Sequence, residues 1–248
     1  MKTMQADDPR AAALRAAIHG GDVPTLRRHL RDDPALATAW VTDERGVSRT
    51  LLHMVADWPG HFANGPDVVA LLVAAGADVD ARVAPGPGGC AETALHWAAS
   101  CDDVAVLDAL LDGGADLEAP GAVFTGGTPM SDAVVFAQWR AARRLLERGA
   151  ATTIWQAAAL GLADRVRDLC AADPPPAREH LTNAFWHACR AGQQSTAAEL
   201  WGRGADLNWV GYDDKASYDV AVESGDTALA EWLRARGARP AAELGGAG

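Results

Sequence analysis

The chain has 248 residues, of which 33 are acidic and 22 basic, and its formal net charge is −11. A negative field repels phosphates, so the composition argues against nucleic acids and anionic membrane surfaces as partners. The longest apolar runs are too short to span a bilayer, no leader-like segment opens the chain, and the four cysteines form no C-x-x-C pair. These features predict a cytoplasmic protein with reduced thiols and without a disulfide framework or zinc site.

The predicted elements begin after a polar start. Residues 1–10 contain Asp7 and Asp8 but no apolar run, and we expect them to form a disordered tail. A first helix around Leu14 and a second helix around Leu26–Leu30 follow. We expect this pair to close the N-terminal end of a helical array.

Further along the chain, two short patterns alternate. A Thr suited to helix capping opens one segment, and a Gly-Ala-Asp tripeptide, whose Gly fits a left-handed helix end, closes the next. Between them lies a second helix with apolar residues at i, i+3 and i+4, a face that it cannot bury alone. The openings are Thr50–His53, Thr93–His96, Thr128–Ser131, Thr152–Trp155, Asn183–Trp186 and Ala216–Asp219, and the closings are Gly76–Asp80, Gly114–Glu118 and Gly204–Asn208.

This alternation resembles the ankyrin repeat, whose signature runs T-P-L-H-x-A-A, then G-H, V-V-x-L-L and G-A-D-V-N. The resemblance implies an all-α solenoid of about seven helix–turn–helix pairs with β-turn fingers, capped at both ends. Residues 11–240 would form this single domain, and residues 241–248 would form a flexible tail. The same resemblance implies that His53 and His96 are buried hydrogen-bonding residues.

Three departures from the repeat mark places where a function can be grafted onto the array. An insertion at residues 57–66 replaces the usual turn within a helix pair and carries Pro, Gly and exposed aromatic residues. The interval from Thr128 to Thr152 is too short to include a finger. The fingers at residues 82–91 and 119–127 are long and rich in Gly and Pro.

Tryptophan is unusually frequent, with nine Trp against four Phe and two Tyr. In the ankyrin family, inner helices and fingers line a concave groove, and aromatic and acidic side chains there would suit a cationic or polar ligand. We interpret Trp155 and Trp186 as core residues, because they take the position of the buried histidine. The predicted binding residues of the groove are Asp57, Trp58, His61, Trp97, Asp102, Asp103, Asp132, Trp139, His187 and Trp209.

Simpler interpretations exist for several polar residues. The spacing H-x-x-x-D-x-x-x-H from His53 to His61 is interrupted by Pro and Gly, whereas a metal site needs three converging ligands. Adjacent helical residues do not face each other, so Asp102 and Asp103 are interpreted as a helix-end cap and a solvated face rather than an acid–base pair. His187 is interpreted as a helix residue rather than a general base. We therefore expect no metal, no cofactor and no catalytic residue.

The sequence supports three functional hypotheses. No P-loop, G-x-S-x-G, G-x-G-x-x-G or H-E-x-x-H motif is present, so the first is a non-catalytic adaptor that binds a protein partner through its groove and fingers. The second is a small-molecule-binding protein or enzyme, with a Trp/Asp/His-lined pocket in the groove covered by residues 57–66. The third is a structural scaffold or dimer module.

Overall fold

The computed structural model describes residues 2–84 and 91–245. It divides into two compact units, Met1–Ala150 and Ala151–Gly248, each built mainly from short helices. The glycine-rich finger tip expected at residues 85–89 lies outside the described residues. In the part of the chain that the structure describes, no helix combines the length and the apolar character needed to cross a membrane. A single domain over residues 11–240 stays a prediction.

The first unit is a stack of helix pairs. Its helices are α1 (Pro9–His19), α2 (Val23–Asp32), α3 (Leu51–Ala56), α4 (Gly65–Ala74), α5 (Ala94–Ser100), α6 (Val104–Asp112), α7 (Pro129–Val135) and α8 (Trp139–Glu147). Consecutive helices pack in pairs, from α1 with α2 to α7 with α8. The first helices of neighbouring pairs contact each other, as do the second helices. Each pair therefore covers its apolar side with the next pair.

Apolar side chains fill the space between these helices. Leu52 of α3, Leu95 of α5 and Met130 of α7 are almost completely buried, and Ala98 and Ala99 are small enough to let α5 approach its neighbours closely. Helices of six or seven residues, such as α3 and α5, are too short to be stable alone. Contacts between pairs therefore stabilise the unit more than helix propensity does.

A small sheet accompanies the helices, so the expectation of an all-α fold is wrong in this respect. The strands are β1 (Thr3–Gln5), β2 (Trp40–Thr42) and β3 (Ser48–Thr50), in the order β1-β2-β3. Thr3 pairs in parallel with Trp40, which in turn pairs antiparallel with Thr50. Three-residue strands are too short to produce the alternation by which a strand is recognised in sequence.

Residues 2–10 differ from the expected disordered tail. Strand β1 pairs with one edge of β2, and its residue Met4 is buried. Lys2 forms an ion pair with Asp33, and the Asp8 carboxylate accepts a hydrogen bond from the backbone N–H of Arg10 at the start of α1. The polar residues that suggested disorder therefore cap a helix and anchor the strand.

The second unit repeats the packing of helices in pairs. Its helices are α9 (Ile154–Ala159), α10 (Ala163–Cys170), α11 (Arg178–Arg190), α12 (Gln194–Gly202), α13 (Ser217–Glu223), α14 (Thr227–Arg234) and α15 (Ala241–Leu244). Phe185, Leu200 and Leu229 are fully buried in its core.

The ends of several of these helices differ from the sequence prediction. Helix α9 begins after Thr153 rather than Thr152, because the Gln156 side chain accepts a hydrogen bond from the backbone N–H of Thr153. The predicted flexible tail is helical at Ala241–Leu244, where the Ala241 N–H donates to the Asp219 carboxylate. Residues 246–248 lie outside the described residues.

The insertion at residues 57–66 is packed between the turns of neighbouring helix pairs. On one side, the Phe62 ring stacks on His19 at 4.1 Å, and the Asn64 amide donates to the Gly21 carbonyl at 3.0 Å. On the other side, the His61 backbone N–H donates to the Asp103 carboxylate at 2.6 Å. These contacts bind the insertion to the pair before it and the pair after it.

Replacing Gly21 with Ala tests this packing. Gly21 has φ +63°, and a Cβ there would lie 2.2 Å from the Ala63 carbonyl oxygen. Gly76 also has positive φ, +93°, but its Cβ would meet no atom within 4 Å, so Gly76→Ala is the matched control. We expect Gly76→Ala to lower the free energy of unfolding by about 1–2 kcal/mol through backbone strain. Gly21→Ala should lower the free energy of unfolding by at least about 1 kcal/mol more than Gly76→Ala does, because its new Cβ clashes with the Ala63 carbonyl oxygen. Denaturant unfolding measures both, and equal losses would show that the insertion does not pack against this turn.

Candidate functional site

Two buried histidines set the geometry of the first unit. The backbone N–H of Thr50 donates to His53 Nδ1 at 3.3 Å, and His53 Nε2 lies 3.2 Å from the Glu92 carbonyl oxygen. His96 repeats the arrangement, with Thr93 at Nδ1 and the Gly127 carbonyl oxygen 3.3 Å from Nε2. Burial lowers the pKa of His53 to about 4, so its ring is neutral at physiological pH. Both ring nitrogens of His53 are occupied, which leaves neither for a metal ion.

A pair of carboxyl groups lies beside these histidines. Trp97 Nε1 donates to Glu92 Oε2 at 3.0 Å, and Asp132 of α7, only 1% exposed, shares a hydrogen bond with Glu92. Burial, and then the charge of Glu92, raise the pKa of Asp132 to about 8. The Asp132 carboxyl also accepts a hydrogen bond from the backbone of Val123. Asp132 therefore carries a proton at neutral pH and holds the finger that precedes α7.

Arg49 links this carboxyl pair to the insertion. Its guanidinium donates to Asp43 at 2.8 Å and to Asp57 at 3.3 Å, and it lies over the Trp97 ring, 5.4 Å from the centroid. The contacts run from Asp57 through Arg49 to Trp97, and from Trp97 through Glu92 to Asp132. Three residues of the predicted groove, Asp57, Trp97 and Asp132, are thus joined in one polar network.

Other predicted residues form the turns between helices. The Asp103 carboxylate accepts from the backbone N–H of Val106, so it caps α6 as the sequence predicted. Asp103 is 2% exposed, so the prediction of a solvated position is wrong for this residue. Asp102, with φ +56°, accepts from the Ala141 backbone N–H at 2.7 Å and so holds the start of α8. His61 Nε2 lies 3.1 Å from the Cys101 carbonyl oxygen.

In the described part of the chain, the side chains of Trp58 and Trp139 form no hydrogen bond with the polar network, although the Trp58 backbone N–H donates to Asp57 Oδ1 at 3.0 Å. Trp58 is 81% exposed at the tip of the insertion. Trp139 is half-buried as the first residue of α8. In the part of the chain that the structure covers, neither makes a ring-to-ring contact. A tryptophan-lined wall in this unit stays a prediction.

His187 and Trp209 belong to an aromatic cluster of the second unit. The His187 ring lies 4.7 Å from Trp155, 5.1 Å from Trp186 and 5.6 Å from Tyr212, and Trp209 lies 6.0 Å from Tyr212. Burial, and then the charge of Arg190, lower the pKa of His187 to about 3. A ring that stays neutral down to that pH is a poor acceptor for the proton of a substrate, which supports a packing role.

Two other surface features of the first unit were not predicted. The first is a pocket of about 420 Å³ between α1, the β2–β3 turn and the end of α3, which we call the arginine pocket. Asp57 is the one predicted groove residue in its lining. The side chains that give the pocket its charge are Arg15, Asp43, Glu44, Arg45, Arg49 and Asp57.

The second feature is an exposed apolar patch, the finger patch, formed by Val123, Phe124 and Phe136. Phe124 is 71% exposed and Phe136 40%, and their rings lie 5.8 Å apart. Residues 119–127 were recognised as a long finger, but the sequence does not show that its phenylalanine meets the end of α7. Side chains this apolar normally lie inside a folded protein.

Arg49 and Glu92 were also missed, although a signal for them exists. Each directly precedes the Thr of an opening, at Thr50 and Thr93, so the two occupy the same position of successive repeats. Opposite charges at equivalent positions of neighbouring repeats indicate a polar contact across the stack. Among residues 2–84 and 91–245, no three His, Cys, Asp or Glu side chains are grouped to hold a metal ion.

The ankyrin-repeat family model matches residues 48–83 and 92–122. This chain contains ankyrin repeats. The two matched repeats contain α3 with α4 and α5 with α6, and each opens with the Thr and His described above. The matched segments therefore include residues that hydrogen-bond one repeat to the next. No curated protein matches the chain as a whole or in part.

The protonated carboxyl of Asp132 makes stability depend on pH. Because the pKa of Asp132 is raised from its ordinary value of 3.8 to about 8, the folded state holds a proton that the unfolded chain releases above pH 4. The resulting stabilisation is complete below pH 4 and is lost as the pH rises to 8.

Asp132→Asn cannot ionise, so we expect the unfolding free energy of the wild type to fall relative to that of Asp132→Asn over this range. Denaturant unfolding at several pH values measures the difference, with Asp67→Asn, at an exposed position of α4, as the control. A difference between wild type and Asp132→Asn that stays constant with pH would contradict a buried proton at this site.

Proposed function

We propose that this ankyrin-repeat protein is a non-catalytic interaction module that binds a protein partner, with the finger patch as its main contact. Ankyrin repeats suggest protein–protein interaction in general. The finger patch is chosen because its two phenylalanines, Phe124 and Phe136, are exposed to solvent and contact each other. Aromatic residues are enriched at the centre of protein interfaces, where their burial contributes most of the binding energy.

The finger that carries Phe124 is held in a defined conformation. The backbone N–H groups of Gly121 and Ala122 donate to the Gly127 carbonyl oxygen at 2.8 and 2.9 Å. The Asp132 carboxyl accepts a hydrogen bond from the Val123 backbone. A partner that binds a fixed finger loses less conformational entropy than one that must first order a loop. The finger therefore supports a specific contact rather than a nonspecific apolar one.

We also propose that each helix pair of the described chain is one repeat, four in the first unit and three in the second. The pairs α1–α2 and α13–α14 would serve as caps. Their exposed faces are polar, with Arg27, Arg28 and Arg31 on α2 and with Glu231 and Arg234 on α14. A terminal repeat needs such a face because no neighbour covers it. Residues of the predicted concave groove, such as Asp57 and Trp97, would add polar contacts to the same partner.

A capture experiment tests the proposed interface. Tagged wild-type protein should recover a stoichiometric partner from a lysate of the source cell, and Phe124→Ser with Phe136→Ser should reduce that partner about tenfold or more, since truncating interface anchors typically costs at least about 2 kcal/mol. Val222→Ser is the matched control, because Val222 is 51% exposed but lies in the second unit. Exposed positions tolerate such changes within about 0.5 kcal/mol of stability, so folding should be unaffected.

Two outcomes would count against the proposal. If the double variant and the wild type recover the same partner in equal amounts, the finger patch is not the interface. If the wild type recovers no stoichiometric partner, the protein is not an interaction module under those conditions.

A further inference from the structure

We propose that the arginine pocket is a binding site for a small molecule that carries an oxyanion group, a carboxylate or a phosphate. This site is separate from the finger patch and would give the protein a second binding function. It also differs in charge preference from the cationic ligand expected for an acidic, tryptophan-lined groove. The argument rests on the size of the pocket, the fixed position of Arg49, and the balance of paired and unpaired charges around it.

The shape of the pocket suits a small ligand. Its volume of about 420 Å³ lies within the roughly 300–1,000 Å³ typical of ligand sites. Val41 and Met54, each 2% exposed, line it together with Ala6, whereas the other lining residues are charged or carry an imidazole. An apolar base with a few convergent polar groups is the usual composition of a small-molecule site.

Arg49 is held in place before any ligand arrives. A guanidinium has five N–H donors, and Arg49 donates one N–H to Asp43 and one to Asp57. Its face rests against the Trp97 ring. A guanidinium fixed in this way loses little side-chain entropy when its remaining donors bind an anion.

The two acidic partners of Arg49 are already engaged. Asp43 Oδ1 accepts from the backbone N–H groups of Arg45 and Val47 at 2.9 and 3.0 Å, while Asp43 Oδ2 accepts from Arg49. Burial opposes its ionisation, but the two backbone donors and the guanidinium together lower its pKa. Asp43 therefore stays charged, and both of its carboxylate oxygens already accept hydrogen bonds from these donors.

Arg15 and Arg45 supply the unpaired positive charge. Neither forms an ion pair with any residue of the described chain, and the one hydrogen bond from the Arg15 side chain is a long contact, 3.4 Å, to the Ala6 carbonyl oxygen. Glu44 is the remaining carboxylate of the lining. The lining as a whole holds three arginines and three carboxylates, so its formal charge is zero. The Arg15 and Arg45 guanidinium groups keep N–H donors outside any ion pair of the described chain, and guanidinium groups bind carboxylate and phosphate through parallel N–H···O bonds.

Calorimetric titration of the full-length protein tests the site. The anionic probes are inorganic phosphate and succinate, succinamide is the neutral control, and putrescine is the cationic control. We expect saturable binding of at least one anion at a stoichiometry of one, with a dissociation constant that rises with NaCl concentration because ions screen the attraction. Arg15→Gln with Arg45→Gln should raise that dissociation constant about tenfold or more, the usual scale for losing a charge-assisted hydrogen bond.

The control variant is Arg27→Gln, because Arg27 is exposed on α2 and is absent from the lining of the pocket. It removes one of the two positive charges that the double variant removes, and it should bind as the wild type does. Circular dichroism checks that each variant is folded. Should the double variant unfold, Arg45→Gln alone gives the result, since Arg45 lies on an exposed turn.

The proposal is overturned if neither anion saturates the protein, if putrescine binds in their place, or if the arginine variant binds the anions as tightly as the wild type. None of these results bears on capture of a protein partner by the finger patch, so the two proposals fail independently.

Discussion

His53 and His96 each connect two successive repeats through a single imidazole ring. In His53, Nδ1 accepts the backbone N–H of Thr50 at the start of its own helix, and Nε2 faces the Glu92 carbonyl oxygen of the next repeat. Only a neutral ring with its proton on Nε2 makes both bonds, because a protonated ring has no acceptor to offer Thr50. Burial keeps the ring neutral, so the apolar stacking of the helices and the hydrogen bonds between repeats support each other.

The surface features of the first unit follow from this link. With its carbonyl held by His53, Glu92 places its carboxyl group against Trp97 and Asp132, and Asp132 in turn holds the finger at Val123. Arg49 lies over the Trp97 ring, is held between two aspartates, and contributes to the arginine pocket. A regular repeat thus positions two irregular surfaces, one apolar and one lined by arginines and carboxylates, whose contributing residues are not themselves part of the repeat signature.

Features encoded by local patterns were predictable from the sequence, whereas features that depend on exposure or on distant contacts were not. The openings at Thr50 and Thr93 each carry a His three residues further on, and the resemblance of this pattern to the ankyrin repeat implied both the helices and the buried role of His53 and His96. The short strand Thr3–Gln5 and the pocket formed by Arg15 with Arg45 arise from segments that only tertiary packing brings together. Tryptophan frequency suggested a shared binding wall, but frequency does not determine exposure: Trp58 is 81% exposed and Trp97 is half-buried.

The most direct test of this account is the protonation state of the two histidines, measured from ring ¹⁵N chemical shifts as the pH is lowered from 7.5 to 5. The account predicts that His53 remains neutral across this range, with the proton on Nε2, because burial lowers its pKa to about 4. It also predicts that His96 takes up a proton at a lower pH than an ordinary histidine, because burial lowers the pKa of that ring as well. A ring that takes up a proton near its ordinary pKa of 6.5, or one that carries its proton on Nδ1, would contradict the proposed link between repeats.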